Sequence, residues 1–471
     1  MLDGEGDLAL LAFPHPFLYD GRGANLPWLQ EIPDPVTKVA WQSWAEVSRG
    51  TAERLGLSVG DVVTVATTAG SIELPVLPRG GLRDDVIAIP MGQGHTEGHY
   101  ASLAGDGQPG EARGVSVLTV LPSVTDENGG RAWLTSRVKL TRTGRHQRLP
   151  IAQASDNKRE RMLGEALPLA TVLGEGHGDD AHSGQHGQAD LGPAYAREHS
   201  PIVAYDKADD STEESPYRWG MAIDLDKCTG CSACVAACYL ENNIPVVGEE
   251  QTLRARQMSW IRIERWVGEG EVQFGDSPER KRRIRPDSEQ FGETDVRHSP
   301  MLCQQCGAAP CESVCPVLAT YHNPEGLNGM VYNRCVGTRY CSNNCPYKVR
   351  RYNYFDYSGN NWPGLMRLML NPDVTVRGQG VMEKCTFCVQ RIEEARQPAK
   401  DENRLIRDGE VVTACQQACP SRAIRFGNAK DPASVVTKTA DDKRSYHALH
   451  VLNTRSAITY LAKVTRGSVE G

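Results

Sequence analysis

The 471-residue sequence predicts a mixed fold, an N-terminal β-barrel followed by an α+β domain built around four groups of cysteines. Two observations predict the halves. Between Ser48 and Leu121, short alternating apolar runs are broken by turn residues, and between Cys228 and Cys419 fall all fifteen cysteines. A third sets the boundary: from about Asp126 to Tyr217 the composition shifts to Gly, Asp, His, Gln and Ser without hydrophobic period, as in a polar linker. The expected organisation is a barrel over 1–125, a linker over 126–217, a cysteine-rich domain over 218–430 and a helical tail over 431–471.

The first residues, Leu8 to Leu18 and Trp28 to Val47, show no helix or strand pattern that starts cleanly, and the chain reads as entering in the middle of a domain. An upstream part in another chain, or lost from this sequence, is the expectation. A short helix over Gly50–Leu55 then leads into strands Asp61–Val65 and Ile72–Val76, joined by the turn at Ala69-Gly70. Val86–Ile89 and Val115–Val120 are expected to be further strands. In the linker, His177, His182 and His186 read as solvated rather than as metal ligands. Beyond it, Met221–Asp224 is an expected strand, and Trp260–Val267 alternates as one arm of a hairpin with Glu271–Phe274.

The first cysteine group, Cys228, Cys231, Cys234 and Cys238, has the C-x2-C-x2-C-x3-C spacing of the bacterial ferredoxin run. The second is Cys303, Cys306, Cys311 and Cys315; the third is Cys335, Cys341 and Cys345, with Thr338 where a further cysteine would fall. The fourth is Cys385, Cys388, Cys415 and Cys419. Three of the four groups end in Cys-Pro, at Pro316, Pro346 and Pro420. Thiolates are soft, strongly donating ligands for iron, and tight C-x2-C loops can aim backbone N–H groups at the sulfurs. One such pair also suits zinc, but four groups point to iron–sulfur clusters. A disulfide framework belongs to small secreted domains, not to a long chain with cysteines this close in sequence.

The composition narrows the function further. A net charge of -7 with interspersed signs argues against nucleic acid as a partner. The basic run Arg280–Arg285 is flanked by Glu279 and Asp287 and reads as a solvated loop. No stretch approaches the ~20 apolar residues of a membrane span, and the N-terminus lacks a basic region followed by an apolar core. Gly378-Gln379-Gly380 is too short to mark a nucleotide loop, and no nucleophile–base arrangement is visible, so no independent catalytic site is expected. Cysteines committed to clusters say nothing of the redox compartment.

Two stretches resemble known families. Ala52-Glu53-Arg54-Leu55-Gly56-Leu57, Gly60-Asp61-Val62-Val63-Thr64-Val65 and Gly92-Gln93-Gly94-His95 resemble the C-terminal, dinucleotide-capping double-psi barrel of molybdopterin oxidoreductases. The resemblance implies that Gly92, Gly94 and His95 lie on a loop facing the pterin. The rest of such an enzyme has no room here, so a scaffold barrel without molybdopterin is expected. His95 and His99 sit in a Gly-rich loop rather than on a helix, which argues against a metal pair.

Arg334-Cys335-Val336-Gly337-Thr338-Arg339-Tyr340-Cys341 through Arg351, Gly380 to Cys388, and Asn453-Thr454-Arg455 to Tyr460-Leu461 resemble the four-cluster, ferredoxin-like subunits of the polysulfide and dimethyl sulfoxide reductase type, and within them the B subunit of alternative complex III. In these families the first group pairs with the fourth and the second with the third. The resemblance implies three [4Fe–4S] clusters: Cys228, Cys231 and Cys234 with Cys419; Cys385, Cys388 and Cys415 with Cys238; and Cys303, Cys306 and Cys311 with Cys345. Tyr239 stands where Pro would follow Cys238, but the spacing is intact. Cys335 and Cys341 with Cys315 make three thiolates, which implies one [3Fe–4S] cluster. A four-iron cluster with water or the Thr338 hydroxyl at the open corner is the alternative.

The implied function is electron relay from quinol oxidation toward cytochrome c. The implied partners are an integral-membrane quinol-binding subunit and multihaem cytochrome c subunits, and the implied place is the periplasmic face of the cytoplasmic membrane. The fusion of barrel and clusters in one chain favours alternative complex III. The alternative is the iron–sulfur subunit of a respiratory molybdoenzyme of the polysulfide or thiosulfate reductase type.

Overall fold

The computed structural model describes residues 3–125, 127–129, 134, 136–153, 155, 158, 161–173, 215–267, 296–358 and 364–465. The chain divides into two compact units. One comprises Met1–Ala154, Val246–Gln257 and Val267–Val296, and the other Ser155–Pro245, Met258–Trp266 and Arg297–Gly471.

The first unit is a closed barrel of β1 (Leu8–Phe13), β2 (Ala45–Ser48), β3 (Asp61–Thr67), β4 (Gly70–Arg79), β5 (Val86–Pro90) and β6 (Arg137–His146), in the order β1-β5-β2-β4-β3-β6. The β1/β5 and β2/β4 pairs are parallel and the others antiparallel. Closure leaves no open sheet edge. Alternate residues point inward: Leu8 and Leu10 from β1, Val63 and Val65 from β3, Leu74 and Val76 from β4, and Ile87 and Ile89 from β5 form one core. The helix Arg49–Leu55 starts where the Ser48 hydroxyl accepts the Thr51 N–H at 2.9 Å and stops at Gly56, which takes the left-handed conformation at φ +62°.

The barrel corrects four expectations. Leu8–Phe13, which shows no clean pattern, is strand β1, because Leu8, Leu10 and Ala12 face the core while the residues between them are also apolar. Val117–Val120 is a 3-10 turn rather than a strand; Val117 and Val120 are fully buried in the barrel core, and a short apolar run does not by itself distinguish the two. Ala45–Ser48 is a strand. The final strand, β6, lies within the segment expected to be linker, so the barrel extends past residue 125.

In the second unit the strands are β7 (Ala166–Pro168), β8 (Trp219–Asp224), β9 (Arg262–Val267), β10 (Val296–Met301), β11 (Thr320–His322), β12 (Asn328–Met330), β13 (Arg351–Tyr352), β14 (Met382–Glu383), β15 (Ile424–Asn428), β16 (Ser445–Tyr446), β17 (Ile458–Leu461) and β18 (Lys463–Thr465). Its largest sheet has the order β15-β8-β17-β16. In it β8 runs antiparallel to β15 and parallel to β17. The remaining strands pair in twos: β9 with β10, β11 with β12, β13 with β14, and β7 with β18.

Residues 431–465 are therefore not a helical tail. They hold one short helix, Val435–Ala440, but β17 is an inner strand of the main sheet, where Ile458 and Tyr460 are fully buried. The strand β7 also lies inside the expected linker. The expected partner of Trp260–Val267, Glu271–Phe274, falls outside the described residues; β9 pairs with β10 instead. Arg280–Arg285, His177, His182 and His186 also lie outside them.

Candidate iron–sulfur site

All fifteen cysteines are free thiols in the second unit. Three of the four groups hang on loops that lead into a helix: Ala233–Glu241 after Cys228 and Cys231, Tyr340–Asn344 after Cys335, and Val389–Asp401 after Cys388. The loops are bent by left-handed residues beside the cysteines, among them Ser232 (φ +58°), Gln305 (+46°), Arg339 (+64°) and Cys388 (+51°). Non-glycine residues adopt this conformation at a cost, and clusters of them mark ligand-binding loops. Gly337 is required twice over: its φ is +72°, and a Cβ there would lie 2.6 Å from the Gly380 carbonyl oxygen.

The structure draws the cysteines together across these groups. One cavity is lined by Cys303, Cys306, Cys311 and Cys345. A second is lined by Cys238, Cys385, Cys388 and Cys415. Both unite cysteines from two distant motifs. Cys234 feels the charge of Cys228, Cys231 and Cys419 as well as Cys415, which places a third set at its side. Cys341 has Cys335 and Cys315 as charged neighbours, a set of three. Thr338 is exposed on the loop of that last set.

The four sets follow one another. Cys234 also adjoins Cys415 of the next set, Cys385 adjoins Cys303 of the one after it, and Cys311 packs with Cys341 of the last. The inner sets are buried throughout, while Cys228, Cys231 and Cys419 at one end, and Cys315 and Cys335 at the other, are partly or fully exposed.

Burial and mutual repulsion set the thiol chemistry. Burial first, then neighbouring cysteines, push Cys234, Cys238, Cys306 and Cys385 well above the ordinary thiol range. Burial likewise raises Cys388 to about 12 and Cys311 to about 11. Cys315 goes the other way: burial opposes ionisation, but N–H groups of Val317, Ala319 and Thr320 outweigh it, that of Ala319 at 3.2 Å from the sulfur. Further donors reach Cys385 from the Phe387 N–H (3.4 Å), Cys419 from the Ala423 N–H (3.2 Å) and Cys238 from Asn242 Nδ2 (3.6 Å). These are weak acceptor contacts that gain strength when sulfur carries charge.

This donor set fits iron–sulfur clusters. Among the described residues no group of three or more His, Cys, Asp or Glu side chains closes around a single metal ion. Each cavity is ringed by four thiols drawn from two motifs rather than by one local motif. Soft donors spread around such a space suit a polynuclear group rather than one ion.

In the barrel, Gly92 (φ +110°) and Gly94 (φ +92°) are explained by local packing: a Cβ on Gly92 would meet the Leu18 side chain at 2.8 Å, and one on Gly94 the Ser116 N at 2.3 Å. His95 and His99 lie in an irregular loop.

The sequence reading missed the buried cations of this unit. Arg350 lines the cavity of Cys303, Cys306, Cys311 and Cys345, and Lys384 is fully buried beside Cys385. The available signal was their position: Arg350 lies five residues after Cys345, and Lys384 directly before Cys385.

A closed barrel ahead of a unit whose thiols gather in two buried fours, with partly exposed thiols at either end, has the make-up of an iron–sulfur electron carrier. Residues 227–319 match the family described as "4Fe-4S dicluster domain", and residues 30–132 the "Molydopterin dinucleotide binding domain". The chain is 40% identical over 257 residues to the menaquinone reductase iron–sulfur cluster-binding subunit of Nitratidesulfovibrio vulgaris, covering 54% of this chain and 92% of that one. It is 33% identical to the Hdr-like menaquinol oxidoreductase iron–sulfur subunit 1 of Archaeoglobus fulgidus, over 47% of this chain and 74% of that one. It is 29% identical to the B subunit of the Wolinella succinogenes polysulfide reductase, over 54% of this chain and 98% of that one. The chain therefore belongs to the family of iron–sulfur subunits of menaquinol- and polysulfide-type oxidoreductases, with a molybdopterin-binding type of domain in front.

Proposed function

We propose that this chain is the electron-transfer subunit of a membrane-bound, menaquinone-linked respiratory oxidoreductase of the polysulfide reductase type, holding three [4Fe–4S] clusters and one [3Fe–4S] cluster. The observation that carries the reading is the linear order of four thiol sets, buried in the middle and exposed at both ends. When bound, the clusters supply one-electron storage and transfer.

The residues that would hold them are Cys228, Cys231, Cys234 and Cys419; Cys238, Cys385, Cys388 and Cys415; Cys303, Cys306, Cys311 and Cys345; and Cys315, Cys335 and Cys341, with Thr338 at the missing ligand. The two cavities support the middle sets, and the neighbours of Cys234 and Cys341 support the outer ones. The chain's own residues then orient the sulfurs, through the Ala319, Phe387 and Ala423 N–H groups, and exclude water from the inner sets. The mixed parallel and antiparallel pairing of the barrel supports a double-psi scaffold.

The named relatives favour this reading over alternative complex III. The second reading keeps one observation: a barrel and a cluster unit fused in one chain. Periplasmic placement, a membrane quinone-binding partner and, for the second reading, multihaem cytochromes belong to the proposal. Among the described residues no helix is long and apolar enough to cross a membrane, so attachment would run through partners.

The test is an iron count with electron paramagnetic resonance on the anaerobically purified assembly. About fifteen irons per chain and a three-iron signal on oxidation support the assignment. An iron-free or zinc-loaded chain overturns it. Molybdenum in the same assembly separates the first reading from the second, which calls for multihaem cytochromes instead.

A further inference from the structure

Arg350 is 4% exposed, and among the described residues no carboxylate pairs with it. Its neighbours in the same unit are treated differently. Arg377 is paired with Glu383, Arg391 with Glu241, Arg396 with Glu325 and Arg262 with Glu264. A buried guanidinium without a countercharge is costly, so the absence of an acid here calls for another source of negative charge.

The side chain is held by neutral groups. Nη2 donates to Thr320 Oγ1 at 2.6 Å and to Asn328 Oδ1 at 2.7 Å, and Nη1 reaches the Met330 sulfur at 3.8 Å. Glu312, the acid on that side, is kept at one remove: Asn328 donates to it through Nδ2 and to Arg350 offers only its oxygen. What faces the guanidinium instead is sulfur from two sets at once. Arg350 lines the cavity of Cys303, Cys306, Cys311 and Cys345, and its charge also acts on Cys341 of the three-thiol set, which packs against Cys311.

We infer that Arg350 is a tuning residue, a fixed cation between the last two thiol sets whose countercharge is the pair of clusters they hold. The inference rests on the functional reading above. Reduction adds one negative charge to a cluster, and a buried positive charge beside it favours that state, so both couples are drawn to higher potential. Because an arginine stays protonated at any working pH, the effect does not titrate. The same charge pulls the Cys311 and Cys341 thiols down against the burial that raises them.

The experiment is a potentiometric titration followed by electron paramagnetic resonance, with iron counted per chain, on the full-length chain in its complex. R350Q is expected to lower the reduction constants of the two clusters beside it, those of the Cys303 and Cys341 sets, at least tenfold, about 59 mV for a one-electron couple. The other two couples should stay in place, and R350K, which keeps the charge, should return both affected midpoints toward the starting values. T320D, which keeps the guanidinium but sets a carboxylate against it, is expected to act with the same sign as R350Q. Unchanged midpoints in a fully loaded R350Q overturn the inference; should R350Q fail to load iron, unchanged midpoints in T320D do so. An unsubstituted chain without iron defeats the functional reading instead, and the two failures are told apart by the iron count alone.

Discussion

Arg377 and Glu383 form an ion pair at 2.8 Å with both side chains 1% exposed. The pair ties the stretch before Cys385 to the end of the first motif's helix, since Arg377 also donates to the Asn242 and Asn243 carbonyls, at 2.7 and 3.1 Å. Glu383 in turn accepts from Trp260 Nε1 and Asn353 Nδ2, both at 3.2 Å. Removing one partner leaves a buried charge alone, which costs about 3–5 kcal/mol, more than the pair itself contributes over an apolar replacement. E383A should therefore lose that much stability and shed iron from the set of Cys238, Cys385, Cys388 and Cys415, whereas R377M/E383M should lose less. Equal melting temperatures for E383A and the unsubstituted chain would sink the account.

The exposed Thr338 lies on the loop between Cys335 and Cys341, at the position proposed above as the missing ligand. Its loop is already bent as the other cysteine loops are, with Gly337 and Arg339 both left-handed at φ +72° and +64°. T338C supplies a thiolate without asking the backbone to move. We expect about one more iron per chain and loss of the oxidised three-iron signal. A T338C protein with the same iron count and the same signal would mean that Thr338 does not mark the open corner.

The cysteine groups were legible because cluster binding is written locally: a C-x2-C loop carries its meaning within a few residues. That Cys238 joins Cys385, Cys388 and Cys415 in one cavity is not a local property; it came from the family resemblance, and no spacing could have given it. Strand β6 was hidden for a different reason. Of Arg137–His146 only Val138 is buried, so the segment lacks the apolar alternation that signals a strand and its polar letters read as linker. Strand β17 failed oppositely, being buried on both faces as an inner strand. Arg350 and Lys384 were invisible because a basic residue in a sequence gives no sign of whether water surrounds it.

The thiols differ enough to be ranked by reactivity once iron is removed. Cys388 is pushed by burial to about 12, and Cys234, Cys238 and Cys385 stand higher than the ordinary thiol. Cys315 is lowered, because N–H groups of Val317, Ala319 and Thr320 overcome burial, and it is partly exposed. The thiolate is the nucleophile, so in chelator-treated protein near pH 8 iodoacetamide should label Cys315 and the exposed Cys231 well before Cys388. Mass spectrometry of peptides over a time course reads the order. Uniform labelling of all fifteen would show that the thiol sets do not persist without iron.

In the barrel unit, Glu31 gives a pH dependence whose sign is fixed. Its carboxylate is 3% exposed and accepts from Trp41 Nε1 at 3.0 Å and from the Gly248 N–H at 3.2 Å, which anchors the segment Val246–Gln257 to the same unit. Burial outweighs these donors and raises it to about 7, against 4.5 for an ordinary glutamate. Between those values the folded protein holds a proton that the unfolded one has lost. Glu31 therefore contributes fully below the unfolded value, and the contribution is lost as pH rises through about 7, ~3 kcal/mol in all. E31Q is neutral at every pH and should lack this loss. Melting temperatures of the two proteins should converge toward pH 4.5 and separate toward pH 8, with E31Q the more stable; parallel profiles would show that the carboxyl is already ionised in the fold.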